Sequence, residues 1–210
     1  NRIKKIKYKS KIIKVDTKLK KKFINIFHNE YFLSASNIEN LSFVIELAKK
    51  FNVKKSNLIK AVKKFKGLNY RQQIIFKNKK ISIINDSKST SYSSSIEMLK
   101  RKNNIYWLMG GIPKIGDKFN LSKNYCRKVQ GYIFGVNQKK FSIDLKKKIK
   151  IKKFFNLSKA LNELFKDIKK DNSSNKTILF SPAAASFDNF KNFEDRGKYF
   201  DKLIKKYIYA

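Results

Sequence analysis

From Gly67 onward the chain alternates between short runs rich in β-branched and aromatic residues and longer stretches with helical periodicity. "QQIIFK" and "KISIIN" flank Asn78 and Lys79 and read as a hairpin. A helix near 91–102 follows, then the strand "IYWLM" (105–109), a helix near 121–128 and the strand "YIF" (132–134). Another helix, a strand near 151–155, a helix over 157–169, the strand "TILF" (177–180) and a final helix complete the series. Strands joined through helices lie parallel, because a crossover of that length returns the chain to the same end of the sheet. The expected fold class is α/β, with a mostly parallel sheet covered by helices on both faces. In such sheets ligands sit beyond the carboxyl ends of the strands, so those ends are where chemistry is sought.

Before Gly67 the pattern differs. In "SNIEN" (36–40), Ser36 and Glu39 have the spacing of a capping box, and Ile38, Leu41, Ile45 and Ala48 fall on one helical face. A second amphipathic segment has Leu58, Val62 and Phe65 inward and Gly67 as its stop. Residues 1–33 read as short strands and basic loops without a complete core.

Composition narrows the function classes. The chain has 210 residues, 41% of them hydrophobic, enough for one large domain or two small ones. A lone cysteine, Cys126, cannot form an internal disulfide and reads as a small buried residue. The only histidine, His28, has no partner for a metal site or a nucleophile and reads as a surface or loop residue. No G-x-x-x-x-G-K-[ST] phosphate cradle occurs. The best apolar run, "LSFVIELA" (41–48), is short and contains Glu46, and no cleavable signal pattern appears, so a cytoplasmic protein is expected. The first residue is Asn1 rather than methionine, which suggests a truncation.

The formal net charge of +36 is the footprint of a nucleic-acid binder. Lysine, however, is spread through nearly every segment, while arginine, the better reader of bases and phosphates, occurs five times. Solvated surface is the expected reading, and a basic α/β module binding nucleic acid is the alternative.

Four strand ends stand out. In "NDSKSTSYSSS" (85–95), Asp86, Lys88 and Thr90 bring an acceptor, a cation and a hydroxyl to a turn that opens a helix; a simple helix cap would account for one hydroxyl only. "LMGGIPKIGDKF" (108–119) ends its strand in Gly110 and Gly111, which allow close approach of backbone, followed by Lys114. "YIFGVN" (132–137) offers no charged group and reads as structural. "SPAAASFDNFKNFEDRG" (181–197) packs small residues together, sets Ser186 at a helix start, and repeats Phe187, Phe190 and Phe193 against the sheet, with Phe190 as core.

These stretches, together with "GLNYR" (67–71) and "SNIEN", resemble in order and spacing the carboxyl-terminal half of the Mur ligase family, in its D-glutamate-adding branch. The resemblance covers about residues 34–205 and is most specific over 181–197. It implies that 1–68 is the end of a central ATP-binding domain and 69–210 a Rossmann-like amino-acid-binding domain. It further implies ATP-driven amide formation through an acyl phosphate, with magnesium, D-glutamate and UDP-N-acetylmuramoyl-L-alanine, in a protein monomeric at full length. Carried over by position, the D-glutamate pocket falls on Thr90, Lys114, Ser186, Phe187 and Phe193, and the nucleotide side on Asn37, Asn40, Arg71, Asp86 and Lys88. Where the family often has glycine and histidine before the first asparagine, Ser34 and Ser36 stand here; where it often has Pro-His before the arginine, Asn69 and Tyr70 stand. The family's phosphate loop and metal ligands have no counterpart in these residues, so the chain by itself is expected not to turn over.

Overall fold

The computed structural model describes residues 13–16 and 29–208, and the chain divides after Lys66 into two compact units. His28, and most of the stretch 1–33 read as short strands, lie outside the described residues.

In the first unit a 3-10 turn, Glu30–Leu33, leads into helices α1 (Ala35–Lys50) and α2 (Lys55–Lys64). Phe32, Leu41, Ile45 and Val62 form its core, with Leu58 and Ile59 packed against them. Asn29 closes the end of α2 by donating from Nδ2 to the carbonyls of Val62 and Phe65, 2.7 Å each, adding to the Phe65 N–H that already donates to the Val62 carbonyl at 3.3 Å. Two expectations shift here. The cap of α1 is Ser34 rather than Ser36: Ser34 has extended backbone and its Oγ accepts from the Asn37 N–H at 3.2 Å, while Ser36 is already inside the helix. And α2 ends at Lys64 with Phe65 as its cap, short of Gly67, and the Phe65 ring is stacked on Phe32 at 5.7 Å rather than buried in the helix seam.

The second unit is built on a six-stranded sheet in the order β1-β2-β6-β3-β4-β5. The strands are β1 (Gln73–Lys77), β2 (Ile81–Asn85), β3 (Ile105–Gly110), β4 (Val129–Phe134), β5 (Lys150–Phe154) and β6 (Lys176–Phe180). Only β1 runs antiparallel, as the hairpin partner of β2. The helices are α3 (Tyr92–Arg101), the single turn α4 (Lys123–Cys126), α5 (Gln138–Leu145), α6 (Leu157–Lys170) and α7 (Phe193–Ile208). Period-two alternation splits the strands β2 to β6 between two cores, whereas β1 packs Ile75 and Phe76 into one of them. Ile105, Trp107 and Met109 of β3 meet Leu99, Cys126 and Phe141 from α3, α4 and α5, whereas Tyr106 and Leu108 meet Leu161, Leu164 and Phe200 from α6 and α7. The mostly parallel sheet with helices on both faces is thus present as expected. Cys126 is buried, and burial pushes its thiol above the ordinary range, so it packs as an apolar residue.

Strand β6 is last in sequence yet central in space, between β2 and β3. Their carboxyl ends stay joined beyond the sheet proper: Asp86 N–H donates to Phe180 O at 2.7 Å, Ser181 N–H to Leu108 O at 3.3 Å, and Gly110 N–H to Pro182 O at 3.1 Å. Because β1 is antiparallel, with Gln73 opposite Asn85, the segment before it reaches the same edge.

Candidate functional site

Eight of the ten residues singled out from the sequence lie along this carboxyl edge, on the segments that precede β1 and follow β2, β3 and β6. The other two, Asn37 and Asn40, are on α1 of the first unit. Asn40 is exposed; Asn37 is buried and donates from Nδ2 to the Tyr31 carbonyl at 2.7 Å.

Asp86 follows β2 and is buried. Its Oδ1 accepts from the Gln72 N–H at 3.1 Å and its Oδ2 from Ser181 Oγ at 2.8 Å. Burial raises its pKa to about 7, against the lowering influence of those two hydrogen bonds and of the Arg71 cation. Arg71 itself is exposed. Lys88, two residues on, donates its N–H to the Tyr70 carbonyl at 2.9 Å and holds its ammonium 4.1 Å from the centre of the Phe193 ring. Tyr70, where the resembled family often has histidine, adopts a φ of 61° and lays its ring on Gly197 of α7. A Cβ at Gly197 would fall 2.3 Å from that ring, so the glycine is required by this contact.

Thr90, Lys114 and Ser186 come from three loops that are tied together. The Tyr92 N–H, two residues beyond Thr90, donates to Asp117 Oδ2 at 2.5 Å, and Asp117 N–H closes back on the Lys114 carbonyl at 3.3 Å. Ile112 and Ala185 form an antiparallel bridge, 2.9 Å in each direction, which sets Lys114 and Ser186 just past its two sides. That bridge needs Gly111, whose φ is 126°: a Cβ there would lie 2.3 Å from the Ala185 carbonyl oxygen. Thr90 and Lys114 are exposed and Ser186 is buried.

The segment 181–192 departs from the sequence reading. Ser186 does not open a helix; its carbonyl accepts from Asn189 and Phe190 in a turn, and α7 starts seven residues later, where Asn192 Oδ1 accepts from the Asp195 N–H at 2.8 Å. The three phenylalanines therefore do not share a helical face toward the sheet. Phe187 is 71% exposed, Phe193 is half-buried beneath Lys88, and Phe190, expected in the core, is half-buried with its ring 5.5 Å from Tyr199.

Arg196, to which its position in the sequence assigns no role, is fully buried. It donates from Nε to Ser87 Oγ (3.1 Å), from Nη2 to Ser87 O (2.7 Å), and from Nη1 to the carbonyls of Ala184 (3.0 Å) and Gly110 (3.4 Å). One guanidinium thus gathers the ends of β2, β3 and β6. Burial lowers its pKa to about 10, opposed by Asp188 and Asp86, which leaves it cationic near neutrality. The signal was an arginine in a chain that otherwise uses lysine, in the segment with the fewest stray cations.

No protein-family model matches the chain. It is 33% identical over 179 residues to the UDP-N-acetylmuramoylalanine–D-glutamate ligase of Rickettsia felis, which is 85% of this chain and 40% of that protein. It is 34% identical over 171 residues to the ligase of the same name from a Wolbachia of Brugia malayi, 81% of this chain and 34% of that protein. The chain resembles the carboxyl-terminal part of a D-glutamate-adding Mur ligase. It spans about two fifths of the length of the first of these curated relatives. Solved Mur ligases have the same fold: MurF from Acinetobacter baumannii superposes with a TM-score of 0.59 at 15% identity, over 81% of this chain and 38% of that one. The UDP-N-acetylmuramate-alanine ligase MurC from Thermotoga maritima gives 0.54 at 16% identity, over 82% and 38%. The nucleic-acid reading of the basic charge has no support among these Mur ligase relatives.

Proposed function

We propose that this chain supplies the D-glutamate pocket and part of the nucleotide side of an ATP-dependent ligase that joins D-glutamate to UDP-N-acetylmuramoyl-L-alanine, a cytoplasmic step in making cell-wall precursor. The observation that carries the reading is identity of about one third, over 85% of the chain, to a ligase named for that reaction. The geometry is compatible with it. A dicarboxylate needs a cation, hydroxyl or backbone donors and a short apolar wall; Lys114, Thr90 and Ser186 on tied loops, with Phe187 next in sequence to Ser186 and Phe193 under Lys88, provide these types. Arg71, Asp86 and Lys88 sit at the neighbouring strand end, while Asn37 and Asn40 of the first unit are assigned to the nucleotide by family position alone. Asp86 uses two of its roughly four acceptor positions internally, so acceptor capacity for a ribose hydroxyl remains on a carboxyl that is otherwise buried.

In the proposed reaction the amine of D-glutamate attacks an acyl phosphate, a C–N bond forms, the C–O bond to phosphate breaks, and the nitrogen loses a proton. The residues of this chain bind and orient the amine donor, so that its nitrogen is presented rather than its two carboxylates. Magnesium does not fit here: among the described residues no group of three His, Cys, Asp or Glu side chains converges, and no step is assigned to this chain through a metal. Nor is any helix among them long and apolar enough to cross a membrane.

Titrating the chain with D-glutamate while recording backbone amide resonances tests the reading. Shifts should cluster at Thr90, Lys114 and Ser186, weaken with L-glutamate, and disappear in Lys114→Ala; shifts scattered over the surface, or identical for the two enantiomers, would overturn it.

A further inference from the structure

The stretch 87–95 contains more hydroxyls than a pocket and a helix cap require, and they are connected. Starting at the buried carboxyl, Asp86 Oδ2 meets Ser181 Oγ at 2.8 Å, Ser181 Oγ meets Ser95 Oγ at 2.8 Å, Ser95 Oγ meets Ser89 Oγ at 2.7 Å, and Ser89 Oγ meets Ser94 Oγ at 2.8 Å. Ser181, Ser95 and Ser89 are buried; Ser94 is exposed and forms the capping box of α3 with Ser91, the residue after Thr90. The line of oxygens therefore runs from the proposed nucleotide side to the proposed amino-acid side through the interior.

We propose that Ser181, Ser95, Ser89 and Ser94 form a reversible hydroxyl chain that couples the protonation state of Asp86 to the geometry of the turn carrying Thr90. The inference rests on the proposed function only for what it assigns to the two ends. Each serine has one proton to donate and can accept two. With Asp86 ionised, Ser181 must donate to it, so Ser95 donates to Ser181, Ser89 to Ser95, and Ser94 to Ser89. With Asp86 protonated and donating, every link can reverse: Ser181 gives to Ser95, Ser95 to Ser89, Ser89 to Ser94, and Ser94 turns its proton to the Ser91 carbonyl, 2.7 Å away. Protons are conserved, because the one gained at the carboxyl only re-aims those already present. The far end changes all the same, since the Ser91 carbonyl gains or loses a donor within the capping box.

The setting favours such a switch. Asp86 titrates close to neutrality, and the charges that act on it come from three sides: Arg71 from the segment before β1, Glu97 from α3 and Arg196 from α7. Trp107 Nε1–H fixes the Ser181 carbonyl at 2.7 Å, which leaves the Ser181 hydroxyl as the movable part of that residue.

Amide resonances followed from pH 5 to 8.5 test this without any ligand, so the result is independent of whether the chain binds D-glutamate. The Gln72 N–H, bonded directly to Asp86, reports the carboxyl itself. In the unmodified chain Gln72, Ser91 and Ser94 should titrate with one shared midpoint. In Ser95→Ala, Gln72 should still titrate while the Ser91 and Ser94 shifts fall at least fivefold, with the Trp107 indole signal unchanged as the check on folding. Ser89→Ala, nearer the exposed end, should give the same pattern. Ser91 and Ser94 shifts that persist in both variants would mean a field acting through space, and would overturn the proposal. So would a Gln72 resonance that titrates alone, or none that titrates.

Discussion

Arg196 and Asp86 carry opposite charges at the same strand ends, and each is held by backbone and hydroxyl groups rather than by the other. A buried guanidinium whose donors meet three carbonyls and a hydroxyl stabilises the loops only while all are in place. Arg196→Met should therefore cost about 3 kcal/mol, because carbonyls would remain buried without donors; urea midpoints read the loss, and a change within about 0.5 kcal/mol would rule out the tie. Asp86 has a pH signature. Its folded pKa of about 7 lies above the ordinary carboxylate value, so the folded state holds more protons between the two. Its contribution is then fully present at low pH and is lost as pH rises toward 7, by a few kcal/mol at most. In Asp86→Asn this decline between about pH 4 and 7 should flatten, as urea unfolding at several pH values would show; an unchanged slope would place the titration elsewhere. Neither role was legible beforehand. Sequence showed that Asp86 follows a strand, but burial and partners 95 and 14 residues away are tertiary facts, and an arginine among so many lysines stands out by type without showing that its guanidinium is buried on three strand ends.

At the level of elements, hydrophobic period carried most of the fold. "IYWLM" read as a strand, the structure buries every residue of β3, and the alternation after Gly67 pointed to the parallel arrangement. Errors fell at termini, where periodicity says least and backbone geometry decides. Ser34 and Ser36 are equally good caps by residue type; extended backbone at Ser34 selects it. Ser34→Ala should accordingly cost about 1 kcal/mol and Ser36→Ala within about 0.5 kcal/mol, measured by urea unfolding, and the reverse order would restore the capping box as first read. The segment 181–192 misled because phenylalanine at every third position imitates a helical face, whereas Ala185 is held in the bridge to Ile112 and the chain then turns at Ser186, so that α7 starts only at Phe193. Gly111→Ala tests that bridge: a Cβ 2.3 Å from a carbonyl oxygen, at a φ that disfavours side chains, should cost about 2 kcal/mol and open the bridge. Loss of slow amide exchange at Ile112 and Ala185 would report the opening; full protection in the variant would contradict it.

For the whole molecule, fold and reaction separate. The sheet and its tied loops are complete in the second unit, yet the chain spans about two fifths of its relatives and contains no phosphate cradle, so phosphate release from ATP with both acceptor substrates present should not exceed the blank. Release above it would show that activation needs less than is proposed. Net charge sets a second whole-chain property. A formal +36 over 210 residues, with lysine on nearly every segment, is expected to repel itself in the compact state more than ion pairs such as those of Lys49, Lys152 and Lys166 attract. Surface pairs contribute about 0–1 kcal/mol each and are screened along with the repulsion. Raising sodium chloride from about 0.02 M to about 0.5 M shortens the screening length to below about 5 Å. The repulsive sum, being larger and longer in range, is removed first. The thermal midpoint should then rise by a few degrees, equivalent to about 1–2 kcal/mol. A midpoint that falls with salt would mean that specific ion pairs such as Lys152 with Asp167 and Glu163 outweigh the excess charge, and that the lysines have been placed rather than merely accumulated.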